Sequence, residues 1–138
     1  MVSRMKNVLI LCTGNSCRSQ MAEAYVRHYH GNHAQVFSAG VETHGLNPRA
    51  VQVLLEDGID ISHHTSNHVD EYAHIFFDLV VTVCDNAADR CPVFPGGTTK
   101  IHQPFTDPAK LTGSEDHVWQ GFREVRDKIK NWAASLQL

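Results

Sequence analysis

Two stretches of this chain gather residue types that do covalent chemistry. The first is Cys12-Thr13-Gly14-Asn15-Ser16-Cys17-Arg18-Ser19, where a cysteine closes an apolar run and an arginine opens a helical pattern. Loop amides and a helix N-terminus converging on one point make a cradle for an oxyanion. Arg18 adds a rigid fork of donors suited to a tetrahedral anion. Thr13, Gly14, Asn15, Ser16, Cys17 and Arg18 are thus the expected anion-binding residues. The same field favours a thiolate at Cys12, below the free-thiol pKa of about 8.5. Ser19 is placed to donate a hydrogen bond to that thiolate. The nucleotide-binding loop is excluded, because it needs a Gly-Lys pair that is missing here. Cys17, inside the loop, reads mainly as a packing residue.

The second stretch runs from Cys84 to Cys91-Pro92. Cys84 ends an apolar segment as Cys12 does, and the Asp, Asn and Pro that follow favour turns. Parallel strands would bring both cysteines to one edge of a sheet. A relay follows from that placement. Cys12 attacks an oxidised centre, Cys84 attacks Cys12 and expels the reduced product, and Cys91 attacks Cys84. The final disulfide then lies where an outside reductant can reach it. Two unrelated buried cysteines, or a metal pair, are the alternatives, although zinc prefers four compactly spaced ligands.

Loss of oxygen from the anion calls for an acid. Asp107-Pro108 is the leading candidate, since proline holds the preceding residue extended. An aspartate that merely caps a turn fits the same pattern, and Asp85 and Asp89 compete for the role.

The elements that must position these residues are legible as alternating strands and helices. Strands are expected at Asn7 to Leu11, Gln35 to Ser38, Phe77 to Cys84 and Lys100 to His102. Helices are expected from Ser19 to Gly31, from Pro48 after the cap Asn47 to Gly58, and briefly from Ser66 or Asn67 to His74. A closing helix carries Val118, Phe122, Val125, Ile129, Trp132 and Leu136 on one stripe, with Arg123, Arg126, Lys128 and Lys130 on a solvated face. This alternation predicts one α/β domain over residues 1–138, a three-layer sandwich with a four-stranded parallel sheet and helices on both faces. Phe76 and Phe77 are expected to pack beside the strand they open.

Composition narrows the function classes. A formal charge of −3 over 138 residues gives no basic stripe for nucleic acid. The run Val8 to Leu11 is too short to cross a membrane and is not followed by a secretion-signal cleavage pattern. A cytoplasmic protein with reduced thiols, working as a monomer, is the expectation. Ten histidines invite a metal reading, but they lack a His-Glu-x-x-His pattern or a cysteine partner.

The chain resembles the thioredoxin-coupled arsenate reductases, which share the low-molecular-weight protein tyrosine phosphatase fold. The resemblance spans about Lys6 to Trp132. It is carried by the Cys12-to-Glu23 stretch, Ser38-Ala39-Gly40, Asn47-Pro48, Gly58 to Ser62, Val83-Cys84 to Cys91-Pro92, and Phe105 to Ala109. It implies reduction of arsenate to arsenite, with Cys12 as nucleophile, Arg18 as clamp and Asp107 as acid. Cys84 and Cys91 would form the exported disulfide, reduced by thioredoxin, with the segment between them looping out during turnover. It also implies a potassium site in some members, matching Asn15, Glu23, Ser38 and Asn67, with an asparagine at the last position in place of the usual aspartate. The alternative activity is a phosphatase acting through a Cys12 phosphocysteine. That branch usually has a tyrosine after the aspartate and proline, where this chain has Ala109.

Overall fold

The computed structural model describes residues 5–85 and 99–138. β1 spans Lys6–Cys12, β2 Ala34–Gly40, β3 Leu79–Thr82 and β4 Thr99–His102. They form one sheet in the order β2-β1-β3-β4, with every pairing parallel. The unbroken apolar run of β1 follows from burial on both faces. Val8, Ile10 and Cys12 join the core under the helices, whereas Leu9 and Leu11 meet Phe77 and Val80 on the opposite side.

The α-helices are α1 (Arg18–His30), α2 (Pro48–Glu56) and α3 (Glu115–Ser135). Their apolar stripes cover one face of the sheet. The 3-10 helix Val69–Tyr72 and its flanks cover the other through Val69, Tyr72 and Ile75. α2 begins as its sequence demands. The Asn47 side chain accepts from the amides of Arg49 and Ala50, and Pro48 takes the first turn. No helix among the described residues is long and apolar enough to cross a membrane.

From β1 the chain crosses to β2 on one side, then later to β3 on the other. The carboxyl end of β1, where Cys12 lies, is therefore the point at which strand order reverses, the crevice where α/β sheets hold ligands.

Four details differ from the sequence reading. The segment before His74 forms only one 3-10 turn, because the Asn67 amide donates to Asn15 Oδ1 and its carbonyl accepts from Gly40. Asn67 is thus tied to the anion loop, and the turn starts only after His68. β3 is four residues long, since Phe77 packs into the core and Asp78 bonds Asn7 at the strand's foot. Phe76 faces outward, 58% exposed. Arg123, Arg126 and Lys130 do not simply point to water. They bond Glu56 and Asp57 at the end of α2, and Arg126 also donates to the Val53 carbonyl.

Candidate active site

The loop after β1 is shaped by where its carbonyls go. Thr13 O accepts from Glu42 N at 3.0 Å and Gly14 O from His44 N at 3.1 Å. Asn15 O accepts from Gln20 Nε2 at 3.0 Å, and Ser16 O from Asn47 N at 3.0 Å. None of the described peptide bonds is cis. In a trans peptide the following N–H points opposite the carbonyl. With these carbonyls drawn outward, the amides of Gly14, Asn15, Ser16 and Cys17 turn inward. Asn15 makes the turn possible with φ of 49°, a left-handed conformation that asparagine tolerates. The N-terminus of the 13-residue helix α1 adds its positive end to the same cradle.

The cradle opens into a cavity of about 370 Å³ lined by Cys12, the loop, Arg18, Glu42, His44, Asp107, Ala109 and Lys110. Arg18 is only 4% exposed, and Nη1 donates to the Phe105 carbonyl at 3.1 Å. Its Nη2 lies 3.5 Å from Asp107 Oδ2. Asp107 Oδ1 accepts from the Ala109 amide at 3.0 Å, capping the 3-10 turn Pro108–Lys110. The capping role and the place beside the anion site, set against each other in the sequence reading, are thus held by one carboxylate through its two oxygens. Asp85 falls just after Cys84, whereas Asp89 lies outside the described residues.

Cys12 and Cys17 are both buried thiols outside any disulfide. Burial pushes the Cys17 thiol far up, with Asp107 adding to the effect, so it stays protonated and inert. Ser19 Oγ accepts from Asn15 Nδ2 at 2.8 Å, which leaves its own proton to donate.

Cys84 is fully buried and disulfide-bonded. Leu11 pairs with Thr82 in the β1–β3 register, and Val83 N donates to Leu11 O at 2.9 Å. Cys12 and Cys84 therefore leave neighbouring parallel strands at the same edge. Cys91 lies outside the described residues.

Behind the loop is a buried polar network that joins Asn15, Ser38 and Glu23, grouped above only through the resemblance, to Gln20 and His64, which the sequence reading did not connect. Asn15 Nδ2 donates to Ser38 Oγ at 2.9 Å, and Ser38 donates to Glu23 Oε1 at 2.5 Å. Gln20 Nε2 also bonds Thr65 O at 2.9 Å, while Gln20 Oε1 receives His64 Nδ1 at 3.0 Å. An amide oxygen only accepts, so His64 carries its proton on Nδ1. Burial lowers the His64 pKa below its usual value, which favours that neutral form.

Glu23, Ser38, Asn15 and Asn67, matched above to a potassium site, do come together, but their oxygens are engaged. Asn15 Oδ1 accepts from Asn67 N, Asn67 Oδ1 accepts from Thr65 Oγ1, and Glu23 Oε2 pairs with Arg27 Nη2 at 2.7 Å. A second cation beside that guanidinium would meet its charge directly, so the arrangement does not fit the ion.

Glu42, His44 and Lys110 at the mouth also escaped the sequence reading, having no motif of their own. His44 Nε2 and Glu42 Oε2 lie 2.6 Å apart. The described lining holds no Phe, Tyr or Trp. Among the described residues no group of three or more His, Cys, Asp or Glu is arranged to hold a metal.

Comparison with known proteins agrees with this geometry. The chain matches the family described as low molecular weight phosphotyrosine protein phosphatase over residues 7–137. It is 50% identical over 126 residues to a Bacillus subtilis (strain 168) protein named arsenate reductase, covering 91% of each chain. It is similar to a solved structure described as an arsenate reductase in the phosphate binding state, with TM-score 0.79, 29% identity and 94% of each chain covered. A thioredoxin-dependent arsenate reductase of Corynebacterium glutamicum matches with TM-score 0.64 and 25% identity over 96% of this chain and 62% of that one.

Proposed function

We propose that this chain, which belongs to the low molecular weight phosphotyrosine protein phosphatase family, is an arsenate reductase that works by a three-thiol relay. The observation that carries this reading is the placement of Cys84 two residues past β3, the strand beside the one whose end, Cys12, lines the anion cradle. The relative named arsenate reductase, alike over nearly its whole length, supports the substrate.

Arsenate enters the cavity and is gripped by the inward amides and Arg18. The Cys12 thiolate attacks arsenic(V), and one oxygen leaves as water with a proton passed from Asp107. The product is a Cys12 thiol ester of arsenate. The Cys84 thiolate then attacks Cys12 Sγ. The electron pair of the S–As bond stays on arsenic, arsenite departs as arsenic(III), and a Cys12–Cys84 disulfide remains. Cys91 attacks Cys84 Sγ and returns Cys12 as a thiolate. A dithiol reductant, thioredoxin in this reading, reduces the remaining Cys84–Cys91 disulfide with two electrons. The C. glutamicum neighbour supports that choice of partner. The reducing cytoplasm suits this chemistry. A monomer suffices, since one chain supplies every group.

The test supplies arsenate, thioredoxin, thioredoxin reductase and NADPH and follows NADPH loss. Cys12→Ser, Cys84→Ser and Cys91→Ser are each expected to abolish it, while Cys84→Ser and Cys91→Ser still hydrolyse a small aryl phosphate. Arsenate-dependent NADPH loss that persists without Cys84 or Cys91 would overturn the relay. Its absence from the wild-type protein, with phosphoester hydrolysis intact, would make the chain a phosphatase.

A further inference from the structure

We infer that Arg27 is the built-in cation of this site, fixing the anion loop from behind and making its anion affinity independent of potassium. The inference rests on the loop being an anion cradle, whichever reaction the cradle serves.

Arg27 lies on α1, one turn after Glu23. Its Nη2 pairs with Glu23 Oε2 at 2.7 Å and donates to Val36 O at 2.6 Å. Its Nη1 lies 3.4 Å from His64 Nε2. Because His64 holds its proton on Nδ1, Nε2 accepts from Arg27. The guanidinium therefore anchors two arms that reach the same loop residue. One runs through Glu23 and Ser38 to the Asn15 side chain. The other runs through His64 and Gln20 to the Asn15 carbonyl. Asn15 is the left-handed residue on which the inward turn of the amides depends. Glu23 is largely buried, and a buried carboxylate needs a neutralising charge. Arg27 supplies it from within the chain, with a fork that also grips the β2 backbone. Arg27 touches no substrate, so it is a positioning residue.

The test measures inorganic phosphate binding by calorimetry, with thermal midpoints, in sodium and potassium salts of equal ionic strength. Wild-type protein is expected to show the same phosphate affinity and midpoint in both. Arg27→Gln takes the guanidinium away from Glu23 Oε2 and leaves that oxygen only His64 Nδ1, at 3.7 Å. In sodium it should bind phosphate roughly tenfold more weakly, a change of about 1.4 kcal/mol. In potassium, a cation large enough to take the vacated place, most of that loss should return. Arg27→Lys, which keeps the charge, should recover part of the affinity in sodium. In Glu23→Gln/Arg27→Gln the potassium response should vanish. A merely structural arginine would lower the midpoint with no difference between the two salts, and that result would overturn the inference. So would a wild-type protein whose phosphate affinity rises in potassium. Failure of the NADPH assay with this pattern intact would remove the relay and leave Arg27 in its role. A wild-type protein that bound no phosphate at all would remove the cradle and this inference together.

Discussion

The carboxyl edge of the sheet and the contact between α2 and α3 are both crowded with polar side chains, yet they use them in opposite ways. At the edge, Asn15, Ser19 and Gln20 are fully buried, and each hydrogen bond fixes one specific atom. Between the helices, Glu56 meets Arg123 and Arg126, Asp57 meets Lys130, and Arg49 meets Glu115, mostly in solvent. Exposed ion pairs are screened and contribute little. Buried hydrogen bonds are costly to break, because a partner is left without water or protein. The first region stores geometry for chemistry, and the second orients a helix at small energetic stake.

Asn15→Ala should separate the two regions most sharply. It removes both donations from Nδ2 and the acceptor for the Asn67 amide, all in the interior. It also places alanine at a left-handed φ. A stability loss of about 3 kcal/mol is expected from the stranded groups, with phosphate binding impaired alongside. Arg123→Ala, on the helix contact, should leave phosphate binding untouched and change stability only marginally. Urea unfolding paired with phosphate calorimetry checks both. Equal effects at the two sites would break the comparison.

Gly40→Ala probes the loop from the strand beside it. A Cβ on Gly40 would come within 2.5 Å of the Thr13 carbonyl and 3.0 Å of the Asn15 amide. The close approach of β2 to the loop, rather than any special dihedral, requires glycine here. The intruding methyl must push the loop into its own cavity, with an expected loss of about 1–3 kcal/mol and weaker phosphate binding. An unchanged phosphate affinity would show that the loop yields without losing its shape.

The same division explains what the sequence disclosed. Cys12, Arg18 and Asp107 were legible because chemistry restricts their type and a strand, loop or proline marks their place. The α3 stripe was legible because burial repeats with the helical period. The network was not. Arg27 and His64 lie far apart in sequence, and each looks like an ordinary surface residue until β2 and the 61–68 loop fold against α1. Asn67 was visible only as a member of a ligand set and as one possible start of the helix expected to reach His74. Its bond to Asn15 spans 52 residues, and that bond is why the expected helix shrinks to a turn. Pairing across such distances has no local signature. The helix contact was misread for a related reason. The period of α3 marks which side chains leave the core, but not that α2 ends within reach of them.

Tyr25 joins the two kinds of region. Its ring, projecting from α1, is wholly buried in the core, while its hydroxyl donates to Asp57 Oδ2 at 2.8 Å. Burial and that bond raise the tyrosine pKa, so the phenol stays protonated. Tyr25→Phe keeps the packing and removes one donor. Asp57 retains Lys130, so a loss near 1 kcal/mol is expected, with phosphate affinity unchanged. A larger loss would mean that the Asp57 cluster behaves as interior rather than surface.

The smallest effect should appear in acid. Lys130 and Tyr25 hold the Asp57 pKa below the ordinary carboxylate range, and Arg123 and Arg126 do the same for Glu56. A carboxylate depressed in the folded state binds fewer protons there than in the unfolded chain. Its contribution is complete at neutral pH and is lost as pH falls through the lowered pKa. Unfolding midpoints should therefore decline with acid from about pH 4 downward. Asp57→Asn and Glu56→Gln should each flatten that decline slightly while lowering the neutral midpoint. Because both groups are largely solvated, the slopes should shrink further in high salt. An acid slope that ignored salt and survived both substitutions would show that the helix contact is not the origin of the acid sensitivity.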